Sequence, residues 1–144
     1  MNELIVSLRV LLGNTFVMYF KAQSHHWNVE GINFSQFHDF FGKLYEDVYG
    51  SIDHIAEEIR AMGEYAPRSI SEIYEYKTLN EGNVSSTVEQ MLQDLQIAND
   101  GVLESLNKSM EIAIRENKQG LADFLAGRID IHEKHAWMIR SHLK

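Results

Sequence analysis

The stretch that decides the fold runs from His25 to Glu57. It opens His25-His26-Trp27-Asn28-Val29-Glu30-Gly31, turns through Gly31-Ile32-Asn33, and continues in a helical pattern past His38 to Asp53 and Glu57. Histidine and carboxylate are the side chains that bind iron or zinc, and here they sit among core-forming aromatics. The pattern predicts one helix over Phe34–Ala61. His38 and Asp53 are then 53 − 38 = 15 residues apart, about 22 Å at the helical rise. They cannot share a metal within one chain. Two chains running antiparallel about a two-fold axis bring His38 of one beside Asp53 of the other, so any metal site is expected between subunits.

Working outward, Leu4, Leu8, Leu11, Thr15, Met18 and Ala22 recur at three- and four-residue steps, which predicts a helix over Glu3–Asn28. Asn2 is its expected N-cap, His26 continues the buried face, and Gly31 ends the helix. Asn33 with Gln36 reads as the next capping pair. The second helix carries Phe37, Phe41, Leu44, Val48, Ile55 and Ile59 and stops at Gly63. Pro67, the only proline, marks the connector. Ser69 and Glu72 predict a short helix over Ile70–Tyr76, with loop from Lys77 to Val84. Ser86 and Glu89 read as a capping box for a third long helix from Val88 to near Asn117. Leu121, Leu125, Ile129, His132 and Ala136 share one face of a last helix. No segment alternates with period two. The fold class expected is all-α, a four-helix bundle with a short helix on the long crossover. Gly13, Gly42 or Gly50, Gly101 and Gly127 fall inside these helices, each at a cost of up to about 1 kcal/mol, and close helix packing is the expected reason.

At 144 residues and 44% apolar, the chain reads as one domain over 1–144 with a proper core. Lys plus Arg number 13 against 21 Asp plus Glu, so the net charge is −8, which suits cations rather than nucleic acid. Cysteine is absent, so there is neither a disulfide framework nor a thiolate site. No basic stretch precedes the first apolar residues and no uninterrupted apolar run of membrane length stands out, so neither a signal peptide nor a membrane span is expected. A cytoplasmic protein is the expectation. A Gly-x-Ser-x-Gly turn and a glycine-rich phosphate loop are both missing. No glutamate stands three residues before any of the 7 histidines, which disfavours a di-iron centre inside the bundle.

Asp53 and Glu57, at i and i+4, share a helix face. On spacing alone they read equally as a solvated stripe. Taken alone, His26 beside Trp27 reads first as a capped helix-end histidine. His132 and His135 read as packing residues before a zinc pair. His54 points about 100° away from Asp53 around the helix and is left out of the site.

The segments His26-Trp27-Asn28-Val29-x-Gly31-x-Asn33-Phe34, His38, and Asp53-x-Ile55-Ala56-Glu57-x-Ile59-Arg60-Ala61-x-Gly63 resemble the signature of the Dps family, the dodecameric mini-ferritins of starved bacteria. Ala66-Pro67 with Ser69 and Glu72 resembles the family's crossover, and Glu133-Lys134-His135-x-Trp137-Met138-x-Arg140 its final helix. The resemblance implies a ferritin-like bundle assembled as a shell of twelve. It implies that His26 and His38 of one subunit, with Asp53 and Glu57 of its two-fold partner, bind Fe(II) and oxidise it with hydrogen peroxide, the ferric mineral being stored inside. It implies that Trp27 takes part in electron or radical transfer. Carboxylates favour Fe(III) and imidazole holds Fe(II). Zinc on the same ligands, or a shell with weak ferroxidase activity, is the alternative. Asp123 matches an acidic pore position. Two departures stand out. Gly42 occupies the place of a frequent acid near the second iron position, and no Lys-rich extension is present, so DNA binding is not expected.

Overall fold

The structure, a computed structural model, describes residues 2–82 and 84–144. Four long helices form the bundle: α1 (Glu3–Asn28), α2 (Phe34–Ala61), α4 (Val88–Arg115) and α5 (Gln119–His142). The short α3 (Ile70–Glu75) lies on the crossover between α2 and α4. The described residues contain no strand. The core is continuous, with Leu4, Leu8, Leu11 and Met18 of α1 meeting Phe41, Val48 and Ile55 of α2, Leu95 and Leu106 of α4, and Leu125 of α5. Each such side chain contributes about 1.5–3 kcal/mol by leaving water. By length and composition α1 is apolar enough to cross a membrane. Most of its apolar side chains are instead buried, Phe20 and Trp27 excepted, and the helix packs on α2 and α4.

Helix ends follow local chemistry. Asn2 accepts from the Leu4 amide at 2.7 Å, and Ser69 accepts from the Glu72 amide at 3.1 Å, both as expected. Two expectations shift. Asn33 makes no side-chain capping bond; α2 starts there on its backbone alone. The capping box of α4 is Thr87 with Gln90, one residue beyond Ser86 and Glu89. Ser86 instead gives its amide to Gln90 Oε1, so one glutamine closes both donors.

Close packing explains Gly13 and Gly101. A Cβ on Gly13 would stand 2.8 Å from the Ile73 carbonyl, and one on Gly101 would overlap Leu79 Cδ2. Both helices are cut away to seat the crossover. At Gly50 and Gly127 an added Cβ would meet nothing within 4 Å, so packing against this chain does not account for them.

A polar cluster, unseen in the sequence, ties α2 to α5. Arg128 donates to both oxygens of Asp47, at 3.0 and 2.9 Å, and His135 Nε2 sits 2.7 Å from the same carboxylate. Arg128 also donates to His132 Nε2 at 2.9 Å. The His132 Nδ1–H therefore donates to Asn99 Oδ1 at 2.8 Å, while Asn99 returns a bond to the His132 carbonyl. The readings of His132 and His135 as packing residues hold. Burial pushes the Asp47 carboxyl up, but the bonds from His135 and Arg128 outweigh it, and the net value lies well below the usual range. Burial first, then the charges of Arg128 and His135, depress His132 from 6.5 to about 3.

Both groups weaken the fold in acid. Below about pH 6.5 the unfolded chain takes up the His132 proton that the folded chain refuses until about 3, so stability falls across that window. Asp47 adds a loss below its unfolded value of 3.8. His132→Gln is expected to flatten the upper part of this dependence, measured as thermal midpoint against pH. Asp47→Ala strands the Arg128 guanidinium. Because Asp47 is 32% open to solvent, the expected cost is about 3 kcal/mol, the low end for a broken buried pair.

Candidate metal centre

The end of α1 and the start of α2 hold His26 and His38 together by a reciprocal hook. His26 Nδ1 lies 2.6 Å from the His38 carbonyl, and His38 Nδ1 lies 2.7 Å from the His26 carbonyl. A carbonyl only accepts, so in each neutral ring Nδ1 carries the proton and Nε2 keeps its lone pair. The rings stack with centroids 3.8 Å apart and planes 16° from parallel. Phe34 stacks on His38 at 5.0 Å, and Tyr45 packs against His26 at 5.3 Å. The turn that allows the hook passes through Gly31 at φ 119°, a left-handed conformation that suits glycine. Trp27 is 59% exposed and meets Phe20 edge to face.

Asp53 and Glu57 stand far along the same α2, and both are exposed. A side-chain hydrogen bond with Asp53, and then the repulsion of its charge, push the Glu57 carboxyl up. Two neighbouring carboxylates on one helix face are hard oxygen donors of the kind that suit cations. The structure thus brings His26 to His38 and Asp53 to Glu57, and keeps the pairs apart. Among the described residues no three metal-capable side chains converge within one chain. His54 turns instead to Glu58 and stacks on Phe124 at 3.6 Å.

A ferritin-like domain model matches residues 5–144. The chain is 32% identical to DNA protection during starvation protein 2 of Bacillus anthracis, over 99% of both chains. The Dps of Vibrio cholerae O1 superposes with TM-score 0.93 at 27% identity, covering 99% of this chain and 89% of that one. That protein is described as one of the ferritin-like diiron-carboxylate proteins. The Dps of Staphylococcus aureus gives 0.91 at 28% identity, over 99% and 95%. The chain belongs to the Dps family of ferritin-like proteins.

Two features of this Dps chain were not legible from ligand spacing. One is the hook, which depends on backbone carbonyls. The other is the part played by Gly42. A Cβ there would stand 3.0 Å from both Cε1 and Nδ1 of His26. The glycine is the floor on which the imidazole lies, as well as a position lacking an acid. A second cluster anchors α1 nearby. Lys21 Nζ and His25 Nε2 each take one oxygen of Asp94, at 2.7 and 2.8 Å. Burial raises the Asp94 carboxyl, but the bonds from His25 and Lys21 prevail and hold it below its ordinary value.

Gly42→Ala is expected to push the His26 ring off α2 and lengthen its bond to the His38 carbonyl, seen in a crystal structure of the variant. The thermal midpoint should drop with it, at about 1 kcal/mol or more for overpacking. An unchanged bond and midpoint would show that the ring slides aside freely.

Proposed function

We propose that this chain is the subunit of an iron-oxidising and iron-storing mini-ferritin whose working unit is a two-fold dimer. The observation that carries the reading is the split donor set. The junction of α1 with the start of α2 offers two imidazoles with free Nε2 lone pairs, and the far end of α2 offers two mutually repelling carboxylates. Neither pair alone makes an iron site, while two imidazoles and two carboxylates suit Fe(II) and its oxidation to Fe(III). His26 and His38 of one subunit with Asp53 and Glu57 of its partner then form each site. Trp27, exposed beside His26, lies at the proposed interface. The ion is substrate and cargo, and hydrogen peroxide is the oxidant that the family resemblance favours. The protein supplies ligands already oriented, by the hook at one end and helix spacing at the other.

Exposed apolar side chains near both half-sites support self-association. Phe20, Trp27, Phe34 and Tyr49 are each more than 40% exposed, more than a lone bundle would leave to water in one region. Membership of the family favours a shell of twelve, formed from one ferritin-like domain per chain and working in the cytoplasm. His26→Ala and Glu57→Ala are each expected to slow peroxide-driven Fe(II) oxidation at least about tenfold, the scale on which even outer ligands matter. The oligomer should persist in native mass spectra. Wild-type rates in either variant would remove that residue from the site.

The same reading speaks against duplex DNA as a partner. With −8 per chain, twelve copies carry 12 × −8 = −96, and phosphate contacts need clustered cations. No plasmid gel shift is expected at neutral pH and near-physiological salt. A shift that weakens steeply as salt is added would overturn this.

A further inference from the structure

Between the two half-sites of one chain, the face shared by α1 and α2 is lined with phenols. Tyr45 lies 5.3 Å from the His26 ring. Tyr19 follows at 6.3 Å from Tyr45, and Tyr49 at 4.9 Å from Tyr19. Tyr49 is four residues before Asp53, on the same side of α2. The rings therefore run from the imidazole half-site to the carboxylate half-site, each within aromatic contact of the next. The Tyr19 hydroxyl donates to Gln23 Oε1, while at Tyr45 and Tyr49 packing alone does not require a phenol.

We propose that Tyr45, Tyr19 and Tyr49 form an electron relay joining the two metal sites of a dimer, so that hydrogen peroxide reduced at one site draws its second electron from Fe(II) at the other. The relay rests on the intersubunit ferroxidase reading above. In such a dimer the imidazole end of one chain belongs to one site and its carboxylate end to the other, so the tyrosines of each chain span from site to site.

The electron count makes the relay useful. Hydrogen peroxide takes two electrons, and one Fe(II) supplies one. Each site has two imidazoles and two carboxylates, and Gly42 beside them adds no donor. Tyr45 gives the missing electron. Fe(II), the phenol, hydrogen peroxide and one proton yield Fe(III), a tyrosyl radical and two waters, with the O–O bond broken. The hole passes through Tyr19 to Tyr49, which is 57% exposed and loses its phenolic proton to water, while Tyr45 recovers a proton and is a phenol again. Fe(II) at the second site reduces the radical, which regains a proton and leaves a second Fe(III). The sum is two Fe(II), one peroxide and two protons giving two Fe(III) and two waters, with no hydroxyl radical released. Phe20 separates Trp27 from Tyr19, so the indole stands off this line.

The test is rapid-freeze electron paramagnetic resonance of the assembled protein after peroxide addition, at two iron loadings. With one Fe(II) per dimer the second site is empty, and a tyrosyl radical should accumulate. With two per dimer it should be quenched. Tyr45→Phe should abolish the radical at low loading. Tyr19→Phe should keep it on Tyr45 and remove the quenching, with more hydroxyl radical caught by a spin trap. Fe(II) oxidation, followed optically in the same samples, separates the two readings. Oxidation faster than in free solution without a tyrosyl radical sinks the relay alone, as does a radical residing on Trp27 or unchanged in Tyr45→Phe. Oxidation no faster than in free solution sinks the ferroxidase reading and the relay with it.

Discussion

Helix α2 is a rod, and its length separates the imidazoles at its start from the carboxylates near its end. With 53 − 38 = 15 residues between His38 and Asp53, the gap is about 22 Å, and no side-chain rotamer closes it. The rest of the site follows from that separation. His26 and His38 satisfy their Nδ1 protons on each other's backbone and leave Nε2 open. Asp53 and Glu57 are left beside each other, and the hydrogen bond between them, then their repulsion, raises the Glu57 carboxyl. Within one chain the imidazole pair and the carboxylate pair therefore stay apart.

The bundle interior is closed to such chemistry for the opposite reason. Its polar space between α2 and α5 is filled by Asp47, Arg128, His132 and His135, and each acceptor already has a donor. A metal entering there would meet a buried guanidinium, and its charge would add to a site that already holds His132 neutral. The cluster also braces α5 against α2, so the rod that separates the half-sites is held at mid-length.

Helical periodicity then lines one face of α2 with the proposed ligands of that helix. His38, Gly42, Tyr45, Tyr49, Asp53 and Glu57 recur at three- and four-residue steps, so they share a stripe of α2. Glycine at 42 lets the His26 ring of α1 lie against that stripe. The Tyr19 ring of α1 fits between Tyr45 and Tyr49. Two helices thereby contribute one continuous surface, in which a single methyl group at 42 would disturb the first member.

The sequence by itself determined the helices and their order. Apolar residues at three- and four-residue steps, and breaks at Gly31, Gly63 and Pro67, are local signals, and α1 and α2 fall where those signals place them. The separation of His38 from Asp53 was equally legible, because the rise of a helix does not depend on its surroundings. Only the tertiary structure decided what crosses between helices. The Asp47–Arg128–His135 cluster joins residues more than 80 positions apart, and nothing in either local pattern marks them as partners. The hook was hidden because its acceptors are backbone carbonyls, which every residue carries and no sequence motif records. In the sequence Gly42 reads as a missing acid, since a sequence shows which side chain is lacking. The ring that occupies the vacated space comes from another helix, and only packing places it there.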